Sequence, residues 1–537
     1  MKKIFAMVLA LSLVLSAFSF AAAEDAKILK VHIETEVQSL DPQVATDGTS
    51  FEVIADFIDG LYQPDADGNA IPALAAETTI SEDGLTYTFK IREDAFWSNG
   101  DPVTADDFVF GWSRAADPAF ASEYAFMITD VAQIKNSIAI ANGEMDLSEL
   151  GVTAVDEKTL QVELETPVPF FTSLMFFPTF YPLNRAFVES CGDTFATSAD
   201  TVLANGAFVL TSYEPAATAF TLAKNPNYYD ADKIQLDGLN YQVIKDSQTA
   251  LLSYQNLELD EVKLSGDQVE QVQDDPEFKA VAAGYLWYIT VNLDQYPELD
   301  NLNFRKALYA AFDRDAVAED ICMDGSVAAA FAVPIGLATG PDGKDFRETA
   351  YTYESTDYEA AAAYLAAAKE ELGQEEFSLT LLVEDDATAQ KVASFIQQEW
   401  MTNLPGVNVE LKVETKKQRV EDIQNGDYNV CLTRWGPDYA DPMTYLNMWI
   451  TGNENNYGLW SNEEYDAIIK SCISGDLATD PEARWDALKD AEKIVMDNAV
   501  ILPVYQKNDA VMTRTGVNGI EYHAVALNRV FKNTTID

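Results

Sequence analysis

Hydrophobic and polar residues alternate with a period of two along much of the first half of the chain. This pattern is typical of half-buried strands and occurs at residues 28–33 and 159–164. It occurs again at Tyr87, Phe89 and Ile91, which would share one face of a strand. The first half therefore predicts sheet structure, with turns between the strands.

The period changes beyond about residue 285. Apolar residues at helical spacing predict helices at residues 304–317, 357–372 and 387–403. Strand patterns at Phe377–Glu384 and Val407–Glu414 lie next to these helices. Strand–helix alternation at this spacing predicts an α/β domain with a largely parallel sheet.

The most informative stretch is residues 432–445, which read L-T-R-W-G-P-D-Y-A-D-P-M-T-Y. A strand pattern leads into it, and a helical pattern follows Pro442. A strand that ends in an aromatic and acidic turn before a helix places a carboxylate at the mouth of a cleft, beside flat apolar walls. Such a place suits a ligand with a cationic amine. Alternatively, Asp438 and Asp441 serve only as turn and N-cap residues.

Composition limits the classes of function. At 537 residues the chain is too long for one core, so two or three domains are expected. The net charge of −53 argues against nucleic acid and against anionic membrane surfaces as partners. Because the acidic residues are spread along the whole chain, we attribute the charge to an acidic or salt-adapted secreted proteome rather than to the ligand alone.

Residues 1–23 have the pattern of a signal peptide. Lys2 and Lys3 precede an apolar core at residues 4–20, and three alanines precede Glu24. No cysteine lies near this cleavage site, so no thiol is available there for lipid attachment. We expect an exported protein, periplasmic or at the extracellular face of the membrane, without an anchor of its own.

Histidines are scarce, and the sequence motifs of common catalytic and metal sites do not occur. The only histidines are His32 and His523, and no nucleophile elbow, P-loop, dinucleotide fingerprint or zinc-protease motif occurs. The four cysteines are far apart, which argues against a metal site and leaves open one or two disulfides or reduced, buried thiols: Cys191, Cys322, Cys431 and Cys472. The sequence favours a binding protein without a cofactor over an enzyme.

Several segments, in order along nearly the whole mature chain, resemble one family. They include E-V-Q-S-L-D-P at residues 36–42, F-W-S-N-G-D-P-V-T-A-D-D-F at residues 96–108 and N-G-A-F at residues 205–208. K-N-P-N-Y-Y at residues 224–229 and W-G-P-D-Y-A-D-P at residues 435–442 continue the series. The chain thereby resembles the oligopeptide/dipeptide extracytoplasmic solute-binding proteins of ABC importers, bacterial extracellular solute-binding family 5.

The resemblance implies an α/β fold of the periplasmic-binding-protein-like type, class II and three-lobed, with mixed sheets and hinged lobes that close on the ligand. Lobe I would be discontinuous, at residues 24–58, 184–286 and 507–537. Lobe II would span residues 59–183 and lobe III residues 287–506. In such proteins an extended peptide is enclosed between the lobes, and its main chain pairs with protein backbone.

The resemblance also assigns site residues. Asp438 matches the aspartate that pairs with the α-ammonium of the peptide, and Trp435 matches an aromatic pocket wall. The other matches are backbone contacts at Arg434 and Gly436, opposing backbone contacts at Thr46 and Gly48, a tyrosine over the ligand at Tyr124, and a ligand-facing segment at Asn456.

The chain departs from the family where short-peptide relatives offer basic or histidine side chains to the ligand carboxylate. It carries Leu432, Ile423 and Ala389 at those positions. The length of the ligand and the capture of its carboxylate therefore stay open, and a cationic or longer peptide fits this difference.

The expected function is a monomeric receptor that delivers oligopeptides to the permease of an ABC importer. Three alternatives stay open. The same fold could bind a non-peptide solute such as a glycoside, a metal chelate or a modified amino acid. The chain could be a secreted hydrolase that uses a carboxylate pair, although any acidic pair is uninformative among 88 acidic residues. It could also be a scaffold that has lost its ligand.

Overall fold

The computed structural model describes residues 26–537, so the predicted signal peptide at residues 1–23 lies outside the described residues. Two four-stranded sheets form the first half. One contains a parallel pair at its edge and is otherwise antiparallel: Ile28–Ile33, Gly238–Val243, Ala219–Lys224 and Phe208–Ser212. The other is antiparallel throughout: Ala75–Ile80, Thr86–Ile91, Thr159–Glu163 and Val152–Asp156.

A seven-stranded sheet organises the second half. Three of its strands recur below under fixed names: the bulged strand (Phe278–Val291), the cleft strand (Val430–Trp435) and the C-terminal strand (Ile501–Thr513). The remaining strands are Glu261–Leu264, Val327–Ala328, Phe377–Glu384 and Val407–Glu414. Three small two-stranded sheets complete the strands: Tyr62–Pro64 with Ala70–Pro72, Val517–Asn518 with Thr535–Ile536, and Glu521–Tyr522 with Arg529–Val530.

The prediction of a largely parallel sheet in the second half was wrong. Only Phe377–Glu384 makes parallel pairs, with Val407–Glu414 and with the cleft strand. The bulged strand pairs antiparallel with the cleft strand and with the C-terminal strand. Strand–helix alternation permits parallel pairing but does not decide which strands are neighbours. Here the bulged strand lies between the cleft strand and the C-terminal strand, although helices connect those two strands along the chain.

The predicted helices are present, with one interruption. The helices of the second half include Leu302–Ala310, Tyr358–Leu372, Ala387–Asn403, Lys416–Asn425, Met443–Leu446, Glu463–Ser474 and Pro481–Asp497. Those of the first half include Gly48–Phe57, Ala105–Ala116, Arg185–Cys191, Ser247–Gln255 and Gly266–Val272. No helix among the described residues is long and apolar enough to cross a membrane.

The interruption falls within the predicted helix at residues 304–317. The helix ends at Ala310, and a short helical turn restarts at Arg314 because the Asp313 side chain accepts a hydrogen bond from the Ala316 N–H. The fully buried guanidinium of Arg314 donates to the carbonyls of Tyr309 and Pro503. These tertiary bonds fix the break, which apolar spacing alone does not reveal.

Separate apolar cores support the two halves. One continuous cluster underlies both four-stranded sheets and includes the C-terminal residues Leu527 and Phe531. Two other clusters cover the two faces of the seven-stranded sheet. All four cysteines are free thiols, and three of them are buried.

The bulged strand and the C-terminal strand run through the predicted boundary between lobes I and III. That boundary lies after residues 286 and 506, and the structure pairs Leu286 with Gln506 in the ladder. The register of the ladder shifts between Ala282 and Leu286, which marks a β-bulge at the same level. Bulges locally disrupt pairing, so this level is the expected place for bending. The lobe boundaries themselves stay predictions.

Gly284 is at the centre of this bulge, and we expect its replacement by alanine to be costly. Its φ of +72° is in the left-handed region, and an added Cβ would overlap the carbonyl oxygen of Ala524. The Gly284→Ala variant should lower the free energy of unfolding by about 2–5 kcal/mol, from strain and overpacking together. Urea denaturation would measure the loss.

Gly343 offers a matched control for that prediction. Its φ is +76°, and no heavy atom lies within 4 Å of an added Cβ. Gly343→Ala should therefore cost only the conformational strain, about 1–2 kcal/mol. Equal losses in the two variants would show that the contact with Ala524 does not constrain the bulge.

Candidate functional site

A cavity of about 860 Å³ lies between residues 126–170 of the first half and residues 435–484 of the second. Aromatic side chains from both halves line it, among them Phe126 and Phe170 on one side and Trp435 and Tyr439 on the other. The rings of Phe170 and Tyr439 stack with centroids 4.4 Å apart and planes at 9°. The two halves thus meet at this stack, and the cavity opens beside it.

The turn after the cleft strand is fixed by local hydrogen bonds. The Asp438 N–H donates to Thr444 Oγ1 at 3.0 Å, and the Tyr445 hydroxyl donates to the Trp435 carbonyl at 3.1 Å. The same hydroxyl lies 2.7 Å from the Gly284 carbonyl, which ties the turn to the bulged strand. These hydrogen bonds hold the predicted strand, turn and helix together at the cavity wall.

Asp441 has the structural role that the alternative interpretation gave to both aspartates. Its carboxylate is buried, accepts two hydrogen bonds of 2.8 Å from Arg484, and accepts a third from the Met443 N–H. This is a bidentate ion pair joined to a helix-start contact. The charge of Asp441 is therefore already compensated within the protein.

Asp438 differs from Asp441 in every one of these respects. Its carboxylate lines the cavity and has neither a hydrogen-bond donor nor a cation as partner within residues 26–537. Burial in this apolar wall raises the pKa of Asp438 to about 6. A partly buried carboxylate without a partner is costly, and a cationic ligand group would remove that cost.

Tyr124 is half-buried beside this carboxylate. Its ring packs against Phe51 and Phe177 at centroid distances of 5.5 and 5.4 Å. Burial, followed by the charge of Asp438, raises the pKa of the Tyr124 phenol to about 12. The phenol thus remains a neutral hydrogen-bonding group close to Asp438.

Gly436 and Gly48 both stand where a side chain would collide. A Cβ on Gly436 would lie 2.7 Å from Cζ of Tyr285, an exposed ring of the bulge. A Cβ on Gly48 would lie 3.1 Å from Asn528 Nδ2, and Gly48 borders a second cavity of about 170 Å³. Thr46 is exposed two residues earlier and lines neither of these cavities.

The cleft strand has an open edge next to Asp438. On one side it pairs with the bulged strand along its whole length. On the other side it pairs with Phe377–Glu384 only at Val430 and Cys431. Between Leu432 and Trp435 that edge has no strand partner in the described part of the chain, so an extended chain could add there.

Arg434 and Trp435 occupy this edge with different side-chain roles. The Arg434 guanidinium forms an ion pair with Glu384 and lies 4.7 Å from the centre of the Trp287 ring. Its charge is therefore already compensated by Glu384, while its backbone lies on the open edge. Trp435 lines the cavity, and its buried Nε1 has no hydrogen-bond partner within residues 26–537.

The Asn456 side chain does not line the 860 Å³ cavity, and the ligand contact predicted for its segment stays a prediction. This side chain is buried, and its amide donates to the carbonyls of Ile450 and Trp460. The neighbouring residues 453–455 line the cavity instead. Only the tertiary structure shows which side chains of this segment line the cavity.

Sequence reasoning missed several residues of the cavity wall. Phe170, Tyr439 and Arg484 all line it, and the first two connect the halves through their stacked rings. The aromatic block at residues 167–181 was the only signal for Phe170. Nothing in the sequence indicated which of its rings would reach the second half.

The three positions that depart from the family pattern are all buried in apolar clusters. Leu432 and Ala389 belong to one core of the seven-stranded sheet, and Ile423 belongs to a small cluster on its other side. None of them could offer a charge to a ligand carboxylate. Arg484, the only Lys or Arg that lines the 860 Å³ cavity in the described chain, is already paired with Asp441.

Comparisons with known proteins agree with this geometry. The family model described as "Bacterial extracellular solute-binding proteins, family 5 Middle" matches residues 69–457. The dipeptide-binding protein of Lactococcus lactis subsp. cremoris (strain MG1363) is 33% identical, over 98% of this chain and 98% of that protein. Both descriptions are of binding proteins rather than enzymes.

Two solved structures are similar over almost the whole chain. Listeria monocytogenes OppA bound to peptide has a TM-score of 0.74 and 34% identity, over 96% of this chain and 99% of that one. The unliganded open form of the murein tripeptide-binding protein MppA, known from Escherichia coli, has a TM-score of 0.82 and 27% identity, over 95% and 98%. The TM-score is thus higher for this open form than for the peptide-bound OppA, although its sequence identity is lower.

Proposed function

This chain belongs to the bacterial extracellular solute-binding proteins of family 5, and we propose that it is the receptor of an ABC importer that binds and encloses oligopeptides for uptake. The observation that carries the proposal is the Asp438 carboxylate, which lines the cavity without any partner in the described chain. The α-ammonium of a peptide supplies the missing positive charge and up to three hydrogen-bond donors.

The ligand backbone would pair with the open edge of the cleft strand. An extended peptide whose amine lies at Asp438 would pass the backbone of Gly436. The Tyr285 ring occupies the space in which a side chain of residue 436 would lie. Pairing through backbone groups is independent of the ligand sequence, while the aromatic walls accept varied side chains. Gly48 and Thr46 would contact the ligand from the opposite lobe after closure.

The proposal includes the predicted partners and location. The chain would be exported after removal of residues 1–23, would act as a monomer without lipid attachment, and would deliver its ligand to the permease subunits. It would perform no catalysis. In support, neither histidine lines the 860 Å³ cavity, and His32 Nε2 lies in hydrogen-bond contact, 2.9 Å, with the Ile244 carbonyl.

Native mass spectrometry of the freshly purified mature protein tests the proposal. Release of the bound material under denaturing conditions, followed by sequencing, should yield a set of short peptides. A single non-peptide mass would instead indicate that this fold binds a non-peptide solute here. A protein that is empty and also ignores added peptides would refute peptide uptake.

The affinity for peptides should fall as the pH is lowered from 7 to 5. The ligand ammonium binds the ionised carboxylate, and the pKa of Asp438 in the ligand-free protein is about 6. Below that value, affinity should drop by about tenfold per pH unit, since one proton must be released on binding. Isothermal titration calorimetry across this range would measure the slope.

The Asp438→Asn variant is the control for this pH dependence. Burial also raises the pKa of Asp107 to about 6, so Asp107 titrates in the same window. Asp107 bonds Trp97 and Thr104, outside the cavity. A slope that persists in Asp438→Asn would show that another group is responsible.

A further inference from the structure

The open edge of the cleft strand has an end inside the cleft. The strand Phe377–Glu384 pairs with the cleft strand as far as Cys431. A ligand chain that runs along the edge from Asp438 must therefore leave it at about Leu432. At about 3.3 Å per residue, the stretch from Leu432 to Trp435 accommodates about four extended residues. The edge thus holds the first residues of a peptide, and the chain beyond them must turn away from the sheet.

The cations at this end of the edge are matched by carboxylates. Three of each lie together on two neighbouring strands and the helix that follows them: Arg419, Arg434, Lys412, Glu384, Asp422 and Glu414. The buried Glu384 carboxylate pairs with Arg434 and lies 3.3 Å from Arg419. Arg419 also donates to Thr433 Oγ1 at 2.6 Å. This group of side chains therefore has no positive charge in excess for a ligand carboxylate.

The 860 Å³ cavity also disfavours a ligand carboxylate. Arg484 lines it, but this guanidinium makes two hydrogen bonds of 2.8 Å to Asp441. Asp130 and Glu454 line it as well, and neither forms an ion pair within residues 26–537. A carboxylate that entered the cavity would meet these two negative charges in addition to that of Asp438, and it would find no free cation in the described chain.

The length of a peptide decides whether its carboxylate is enclosed. When the amine lies at Asp438, the carboxylate of a di- or tripeptide is at most about 10 Å away, which is still beside the edge or in the cavity. Enclosing an ion without a partner is costly, so a short peptide with a free carboxylate would lose affinity. In a longer peptide the carboxylate lies beyond the end of the edge, where water solvates it.

We propose that this protein leaves the C-terminal carboxylate of its ligand unbound and selects peptides of about five residues or more over di- and tripeptides. This inference rests on the proposed function and specifies its substrate class. Asp438 and the open edge hold the amino-terminal residues, and the remaining residues leave the cleft. The affinity for long peptides therefore depends on the amine and not on the state of the C-terminus.

Matched peptides with a free carboxylate or a C-terminal amide test this selection on the unaltered mature protein. The ligands are alanine-based peptides of two to eight residues, and calorimetry in about 0.15 M salt gives each affinity. Amidation should tighten the binding of the di- and tripeptide by about tenfold or more, because it removes the enclosed charge. It should change the affinity of peptides of six to eight residues by less than about twofold.

Two results of this series would overturn the inference. Weaker binding of the short amides than of the short free acids would show that the protein captures the carboxylate. The same gain from amidation at every length would show that the net negative charge of the protein, and not enclosure, disfavours the carboxylate. Failure of every peptide to bind would instead refute the proposed function itself.

The accessibility of the C-terminus of the ligand gives an independent measurement. An octapeptide with a biotinylated lysine as its last residue should bind as tightly as the unlabelled peptide, and streptavidin should bind this biotin while the peptide stays on the protein. The same label at the second residue is the matched control, since it lies between the lobes and should weaken binding or be hidden from streptavidin. A last-residue label that streptavidin reaches only after release would show that the C-terminus is enclosed and would contradict the proposal.

Discussion

Replacing Asp438 by asparagine is expected to weaken peptide binding about 100-fold or more. The substitution removes the carboxylate that we assign to the ligand amine, and burial raises the pKa of this carboxylate to about 6. Truncating one partner of a desolvated charge pair costs about 2–5 kcal/mol of binding free energy, because the other charge is left enclosed without compensation. Calorimetry with a peptide of defined sequence would measure the loss.

An N-acetylated peptide provides the matched control for the ligand side. Acetylation removes the positive charge, so it should weaken binding to the unaltered protein by a similar factor. In the Asp438→Asn variant, acetylation should have little further effect, since the interaction is already absent. Additive losses would show that the amine binds elsewhere.

The same variant should be more stable than the parent when no ligand is present. The pKa of Asp438 is raised in the folded state, from 3.8 to about 6, so its ionisation opposes folding, and the unfolding free energy falls as pH rises between those values. Asparagine removes this penalty, which corresponds to roughly 1–3 kcal/mol at pH 7. Thermal unfolding at pH 4 and pH 7 should show the gain only at pH 7.

Replacing Asp441 by alanine is expected to destabilise the fold by about 3–5 kcal/mol. The substitution leaves the Arg484 guanidinium buried without its bidentate carboxylate, and it removes the hydrogen bond to the Met443 N–H. The helix Met443–Leu446 would lose the hydrogen bond that caps its first N–H. Urea unfolding monitored by circular dichroism would measure the change.

A second substitution distinguishes the buried charge from the lost packing. In Asp441→Ala with Arg484→Met, no charge is left uncompensated, so much of the lost stability should return. A double variant as unstable as Asp441→Ala would show that packing, and not the orphaned arginine, accounts for the loss. In contrast to Asp438→Asn, the Asp441→Ala variant should bind peptide with unchanged affinity under conditions in which it remains folded.

The two aspartates Asp438 and Asp441 show which roles the sequence could predict and which it could not. Both lie in the same acidic turn, and turn chemistry explains either of them equally well. The resemblance to the family singled out Asp438. The role of Asp441 depends on Arg484, which is 43 residues away and reaches it through tertiary packing.

Local pattern alone determined most of the secondary structure. The strands Phe377–Glu384 and Val407–Glu414 and the helix Ala387–Asn403 appear with the predicted bounds, since each is defined by side chains of a single segment. Sheet direction was not decided locally. Helices connect the cleft strand to the C-terminal strand, but the bulged strand lies between these two strands in the sheet and runs antiparallel to both. No periodicity encodes which strands pair.

The sequence by itself determined the family of this protein, its secondary structure and the turn that presents a carboxylate to a cleft. Only the tertiary structure decided which groups were left without partners. It paired Asp441 with Arg484 and turned the Asn456 amide toward main-chain carbonyls. Within residues 26–537 it left the Asp438 carboxylate and Nε2 of His523 without a partner. The physical reason is that whether a polar group is free depends on atoms that are distant in sequence, and these meet only when the chain folds.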